Sequence, residues 1–148
     1  MRNILLIIIS SLFLYSCAGI YSQSPKPVTS EHFITYGGGF TMKLDKSRRL
    51  FYGINIISKN QLSPSNFVVV TYQNPSSKIP FKQESLVSEL TTSNLVENAT
   101  TYIFKSPLVK GVKQHTNYKI NIKLYKNSSK KELIATHEQL VNSSYTKN

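Results

Sequence analysis

The chain is poor in the residues that usually build chemical sites. It has one cysteine, no tryptophan and only seven acidic residues among its 148 positions. A single cysteine excludes an internal disulfide and a cysteine-based zinc cluster. Seven carboxylates leave little material for a calcium or magnesium cage. No HExxH, GxSxG or phosphate-loop pattern occurs, so we expect neither a metal nor an enzymatic cofactor.

The N-terminus has the pattern of an export signal. One basic residue, Arg2, precedes the apolar run from Ile4 to Tyr15. A membrane-spanning helix needs about 20 apolar residues, and this run is too short. A basic flank, a short apolar run and small residues at its end are typical of a cleaved signal peptide.

The end of this signal carries the only cysteine. Leu14-Tyr15-Ser16-Cys17 resembles the bacterial lipobox. The resemblance implies that residues 1–16 are removed and that Cys17 receives covalent lipid. Ala18 stands where retention in the inner membrane would call for Asp, so the resemblance implies an anchor in the outer membrane, facing the periplasm unless the protein is flipped to the cell surface. The alternative is an ordinary signal peptide with an unmodified cysteine.

The rest of the chain divides into a tether and one domain. Residues 17–30 are rich in Ser and Pro and show no period, which predicts a flexible, lipidated tether. Residues 31–148 are enough for a single core. The whole chain has a net charge of +11, and loss of Arg2 with the signal leaves +10.

The dominant period in the domain is two. Apolar residues alternate with polar ones from Tyr118 to Leu124, as in a half-buried antiparallel strand. The segment Lys82–Val96 fits either a short helix or strands, and its Thr and Asn residues favour strands. Gly37-Gly38-Gly39 is expected to end the first strand. The pattern predicts strands at 32–36, 40–45, 50–58, 66–73, 100–105, 118–125 and 133–141. We therefore expect an all-β protein, a single antiparallel β-sandwich of about seven strands.

One stretch indicates the kind of sandwich. Residues 106–125 resemble the corner between strands E and F of immunoglobulin-like or fibronectin-III-like domains. By this resemblance Tyr118 is the corner tyrosine, and its hydroxyl bonds backbone between Gly111 and His115. The alternative is an ordinary core tyrosine. No Cys…Trp…Cys pattern is present, which excludes an antibody-type domain.

The histidines and glycines give weak chemical signals. His137 and Glu138 are adjacent in a predicted strand and face opposite sides, so they cannot form a dyad. We expect His137 to be a satisfied, semi-buried residue and His115 to be a hydrogen-bonding residue of the corner. His32 lies where tether meets domain. For the three glycines at 37–39, a bulge or tight hairpin fits better than a phosphate loop.

The excess of lysine is the remaining signal. Beyond residue 16, Arg48 and Arg49 are the only arginines, which argues against specific reading of nucleic acid. Lys110 and Lys113 add a smaller basic block. The basic residues could form one positive face that contacts anionic envelope material, or they could serve solubility alone. The candidate surface comprises Lys43, Lys46, Arg48, Arg49, Lys119, Lys123, Lys126, Lys130 and Lys131.

These features support three hypotheses. The leading one is a non-catalytic outer-membrane lipoprotein whose sandwich binds another envelope component, a protein or an anionic polymer, through a strand edge or surface. The alternative is a lysine-rich module for polyanions such as lipopolysaccharide, peptidoglycan or DNA. The third is an enzyme with a dispersed site near His115 or His137. No small-molecule substrate is indicated.

Overall fold

The structure, a computed structural model, describes residues 25–43 and 49–144. These residues form an all-β protein, with one 3-10 turn at Val87–Glu89. No helix within them is long and apolar enough to cross a bilayer. The strands are β1 (Phe33–Lys43), β2 (Arg49–Ser58), β3 (Phe67–Tyr72), β4 (Phe81–Leu86), β5 (Thr92–Val96), β6 (Ala99–Lys105), β7 (Asn117–Tyr125) and β8 (Leu133–Asn142).

The strands form two antiparallel sheets. Sheet A has the order β1-β2-β6-β5, and sheet B has the order β4-β3-β7-β8. In the lettering of immunoglobulin-like folds, sheet A is A-B-E-D and sheet B is C-F-G with one further strand beside C. The all-β sandwich predicted from the sequence is confirmed, with eight strands in place of about seven.

The core lies between the sheets and is built from every second residue of the strands, whose side chains point inward. In β7 the residues Tyr118, Ile120, Ile122 and Leu124 are buried, whereas Lys119 and Lys123 are exposed. In β2 the buried residues are Tyr52, Ile54 and Ile56. An aromatic group fills one end of the core: Phe40 stacks on Tyr52 with ring centroids 5.0 Å apart, and Tyr118 meets Phe40 edge-on at 5.6 Å.

The triple glycine does not end the first strand, and this part of the prediction was wrong. Strand β1 runs unbroken from Phe33 to Lys43 and pairs with β2 throughout. The register shifts by one residue between Thr35 and Gly37, which makes Tyr36 a bulge. The bulge thus lies at Tyr36, directly before the glycines for which it was predicted, and the glycines themselves pair regularly with β2. Continuous pairing with β2 outweighs the weak strand propensity of three glycines.

The ambiguous segment Lys82–Val96 is mainly strand, as favoured from its Thr and Asn residues. It contains most of β4 and all of β5, separated by the 3-10 turn. β4 and β5 are both short and lie at the edges of their sheets. These two strands are added to the predicted seven, and the predicted strands at 32–36 and 40–45 are the single strand β1, which gives eight strands among the described residues.

Part of the predicted tether packs on the sandwich. Thr29 pairs with Ile34, and the N–H of Thr35 donates to the carbonyl of Val28 at 2.9 Å. Gln139 of β8 holds the same segment from the other side. Residues 25–30 therefore lie across the side of the sandwich where β1 and β8 face each other.

Candidate functional site

Four strand edges bound the two sheets, and three of them are guarded against further pairing. Strand β4 carries Lys82 and Glu84 on its edge. Strand β5 has five residues and a register shift between Ser93 and Val96. Strand β8 carries Glu138 and the docked segment 25–30. Charges, shortness, bulges and a covering segment are the usual means of keeping an edge from recruiting another strand.

Within the described residues, the fourth edge, that of β1, is protected at its beginning and ends at the charged residue Lys43. The docked segment 25–30 covers Phe33–Thr35, and the bulge follows at Tyr36. From Gly37 to Met42 the strand contains no charged residue and no proline. We call the stretch Gly37–Met42 the open edge.

The contacts of Tyr52 fix the direction of the backbone groups along the open edge. Its N–H donates to Ser106 Oγ at 3.0 Å, and its carbonyl accepts from the N–H of Ser106 at 2.8 Å. Phe40 lies directly opposite Tyr52. Since both polar groups of Tyr52 point toward β6, those of Phe40 have no partner in β2 and point away from it.

The neighbouring pairs obey the same alternation. The carbonyl of Leu50, which lies opposite Met42, accepts from the N–H of Val109 and so points away from β1. Gly38 lies two residues before Phe40, so its backbone groups point to the same side of the strand as those of Phe40 and Met42. The N–H and C=O groups of these three residues therefore face outward, and within the described part of the chain no other strand pairs with them.

A groove runs beside the open edge, between β1 and β8. It encloses about 410 Å³. Its apolar lining comes from Phe40, Leu140 and Val141, with Pro25 and Pro27 of the docked segment at one end. A strand added to β1 would place alternate side chains into this groove, because side chains opposite an inward-facing residue also face inward.

The outer face of β1 is bare beside the open edge. A Cβ added at Gly37 or Gly39 would have no neighbour within 4 Å among residues 25–43 and 49–144. Gly39 lies opposite Gly53 of β2, so the bare strip continues onto the next strand. A second, shallower groove of about 440 Å³ covers this strip and ends at Phe51, Ile103 and Lys105.

The docked segment is held by two buried side chains of β8. His137 Nε2 lies 2.7 Å from Thr35 Oγ1, and its Nδ1 lies 3.0 Å from Ser30 Oγ. Gln139 donates to the carbonyl of Lys26 at 3.1 Å and accepts from the N–H of Val28 at 2.8 Å. Burial lowers the pKa of His137. Both ring nitrogens have partners, as expected for a satisfied histidine.

Tyr118 makes the contact expected of a corner tyrosine. Its hydroxyl accepts a hydrogen bond from the backbone N–H of Lys113 at 2.8 Å, inside the predicted range from Gly111 to His115. The turn before β7 is closed by β8, because the N–H of His115 donates to the carbonyl of Ser143 at 2.7 Å. His115 is exposed, with a φ of 51°. The corner is thus a structural element of the β7–β8 side.

The basic residues do not form one positive face among the described residues. Lys43 and Arg49 belong to strands of sheet A, whereas Lys119 and Lys123 lie in β7 of sheet B. Cys17, Lys46 and Arg48 fall outside the described residues. Three of the predicted lysines pair with glutamates, as Lys119–Glu138 at 2.9 Å, Lys126–Glu132 at 2.9 Å and Lys130–Glu84 at 3.0 Å.

These pairs make the outer face of sheet B mixed in charge. Glu84 also contacts Lys82, and hydrogen bonds from Lys82 and Lys130 lower its pKa. All these groups are at the surface, where each pair is worth little for stability. Lys123 and Lys131 are exposed at the surface.

The described residues offer no site for a metal ion built from three or more His, Cys, Asp or Glu side chains. Neither groove is lined by a histidine of the described residues, although His137 contacts Thr35, which lines the first groove. Comparison with known proteins finds no matching family model, no matching curated protein and no matching solved structure.

Proposed function

We propose that this protein is a non-catalytic outer-membrane lipoprotein that binds another envelope protein by strand addition to the open edge of β1. The observation that carries the proposal is the outward direction of the backbone groups of Gly38, Phe40 and Met42. A partner strand would satisfy two groups on each of these residues. Main-chain hydrogen bonds of this kind supply the affinity in β-augmentation.

The contrast between edges supports this choice of surface. The edges of β4, β5 and β8 are each protected against further strand pairing by charges, a register shift or a covering segment. Phe33–Thr35 of β1 lies under the docked segment. Natural sandwiches protect long edges because open ones recruit other chains. Because the other three edges are protected against further pairing, the unprotected stretch of β1 is better explained as a binding surface than as a chance exposure.

The anchor supports a membrane-proximal role. Cys17 and Pro25 are eight residues apart. A chain of this length spans at most about 29 Å when fully extended. A lipid on Cys17 would thus keep the open edge near the bilayer surface, within reach of partners that sit in or on the outer membrane.

The charge of the chain indicates the kind of partner. The mature chain has a net charge of +10, so two copies repel each other at low ionic strength. A neutral or acidic extended segment of a different protein is the better match for the open edge. Self-association through paired β1 strands is the competing outcome that the experiments below detect.

The test of the binding edge is Met42→Pro. The N–H of Met42 points outward, so proline removes a donor for the partner without removing a bond to β2. Met42→Val keeps the N–H and is the matched control. Isolation from detergent-solubilised outer membranes should return a stoichiometric envelope protein with wild type and Met42→Val, and lose it with Met42→Pro. Equal recovery with Met42→Pro would contradict the proposal, as would recovery of this lipoprotein alone or of a homodimer.

The anchor has its own test. Intact-mass measurement of the native protein should show loss of residues 1–16 and addition of acyl chains at Cys17, and Cys17→Ser should leave the protein unlipidated and released from membranes. One chain binds membranes only marginally, so stable anchoring needs at least two. An unmodified thiol at Cys17 in the native protein would overturn the anchored role and leave the edge to be tested separately.

A further inference from the structure

We propose that the partner strand carries large, preferably aromatic, side chains at the positions opposite Gly37 and Gly39, and aliphatic side chains at the alternate positions. This inference rests on the proposed function, since it specifies the strand that the open edge accepts. It follows from two glycines whose presence the fold itself does not require.

The glycines of this region separate into two kinds. A Cβ at Gly53 would lie 2.1 Å from the carbonyl oxygen of Phe104, and a Cβ at Gly38 would lie 2.8 Å from Ile54 Cγ2. These two glycines are needed by packing. Gly37 and Gly39 have no neighbour within 4 Å at that position, and neither has a positive φ.

Glycine in a strand is unfavourable unless a bulge, a tight bend or the close approach of a ligand or another backbone requires it. The bulge in β1 is at Tyr36, next to Gly37, and cannot explain Gly39. Gly39 continues normal pairing with Gly53. None of the described residues approaches the Cβ position of Gly39, which leaves close approach by another chain as the reason for a bare backbone here.

The pairing pattern places the partner's side chains. If Gly38, Phe40 and Met42 form hydrogen-bonded pairs with the added strand, then Gly37 and Gly39, on either side of Gly38, form non-hydrogen-bonded pairs. In an antiparallel sheet the Cα atoms of a non-hydrogen-bonded pair lie about 4.5 Å apart, closer than those of a hydrogen-bonded pair. Cross-strand side chains therefore make the fullest contact there. An aromatic ring lying across a glycine on the neighbouring strand is a favourable pair of this type.

The surface beyond the glycines suits a ring. The strip crosses from Gly39 to Gly53 without a side chain and ends at Phe51, over whose ring Lys105 Nζ lies at 3.4 Å from the centroid. Ile103 forms the opposite wall. A ring extending from the added strand would cover exposed peptide planes and meet apolar side chains at its far end.

The other face of the added strand meets the groove between β1 and β8. Its apolar lining from Phe40, Leu140 and Val141 accepts aliphatic side chains. Gln139 also borders the groove, but the docked segment already satisfies its carboxamide. The two faces together specify a strand that alternates aromatic and aliphatic residues.

The test uses two synthetic peptides with the purified mature chain. Both have seven residues with blocked termini, Glu at each end and Val at alternate internal positions. One has Tyr at the two remaining positions and the other has Gly. We expect the Tyr peptide to bind at least tenfold more tightly by calorimetry and to slow amide exchange at Gly38 and Phe40, the outward-facing amides next to Gly37 and Gly39.

Two variants make the result specific to the bare strip. Gly39→Val places a side chain where the ring would lie, in space that is free in the fold, and should reduce the preference for the Tyr peptide to less than threefold. Thr41→Val, on the same face of β1, should retain it. If both peptides protect these two amides equally in the wild type, the inference about side chains is overturned and the binding edge stands. If neither peptide protects them, both proposals are overturned.

Discussion

His137 Nε2 and Thr35 Oγ1 lie 2.7 Å apart, and this contact joins β8 of sheet B to β1 of sheet A across the side of the sandwich. The same ring reaches Ser30 with its Nδ1 and meets Phe33 edge-on, with ring centroids 5.9 Å apart. The imidazole is 2% exposed. One buried side chain therefore connects both sheets and the docked segment.

This position predicts a loss of stability in mild acid. Burial lowers the pKa of His137 below its ordinary value of 6.5, so the unfolded chain binds a proton more readily than the folded one. The free energy of unfolding should therefore be fully retained above pH 6.5 and fall as pH drops through the interval between 6.5 and the lowered value. The slope within that interval is at most about 1.4 kcal/mol per pH unit.

Urea unfolding at several pH values between 7 and 5.5 measures this slope. His137→Gln keeps a polar side chain but cannot titrate, so its unfolding free energy should be less sensitive to pH over the same range. His115→Gln, at an exposed turn, serves as the control and should keep the slope of the wild type. An unchanged slope in His137→Gln would show that this histidine does not cause the pH dependence.

Two glycines that face each other across β1 and β2 should respond oppositely to alanine. Gly53→Ala forces a methyl group against the carbonyl oxygen of Phe104 and should cost about 3 kcal/mol, the upper end of the range for overpacking. Gly39→Ala meets nothing and should stabilise the fold by about 0.5–1 kcal/mol, because alanine loses less backbone entropy. Thermal or urea unfolding of both variants measures the difference. Similar costs at both positions would contradict the assigned packing.

The corner contact predicts the effect of removing one oxygen atom. Tyr118→Phe leaves the ring in the core but takes away the acceptor for the N–H of Lys113. We expect a loss of about 1–3 kcal/mol in the free energy of unfolding. Tyr125→Phe, in the same strand but on its outer side, should change stability by no more than about 0.5 kcal/mol. Equal effects of the two variants would argue against a special role for the corner hydroxyl.

Gln139 should control whether residues 25–30 stay on the sandwich. Gln139→Leu removes the hydrogen bonds to Lys26 and Val28, so the amide of Val28 should exchange at least tenfold faster than in the wild type. Thr136→Val, on the exposed side of β8, is the control and should leave that amide unchanged. Unchanged exchange at Val28 in Gln139→Leu would mean that other contacts hold the segment.

The sequence was sufficient for the elements whose pattern is local. Alternation from Tyr118 to Leu124 identified β7 with its inner and outer faces, because one buried face imposes a period of two. Gly37–Gly39 misled the prediction because strand propensity is weak and β2 decides whether β1 continues. The docking of residues 25–30 was missed because it depends on Gln139, more than 100 residues away.

The open edge could not be found from composition. Strands β2 and β3 are as free of charge as the open edge, from Leu50 to Ser58 and from Phe67 to Tyr72, yet both lie inside their sheets. Only the pairing order separates an exposed edge from a covered strand. The lysines show the same limit of the sequence. Lys119, Lys126 and Lys130 suggest a basic patch in the sequence, but in the structure each of them pairs with a glutamate.

Residue-resolved amide exchange along β1 is the most direct measurement of the open edge and its use. In the free protein the amides of Phe40 and Met42 should exchange at least a hundredfold faster than those of Gly39 and Thr41, which face β2. In the complex isolated from outer membranes the two fast amides should become as slow as their neighbours. Uniform protection of all four amides in the free protein, or fast exchange that persists in the complex, would contradict strand addition at this edge.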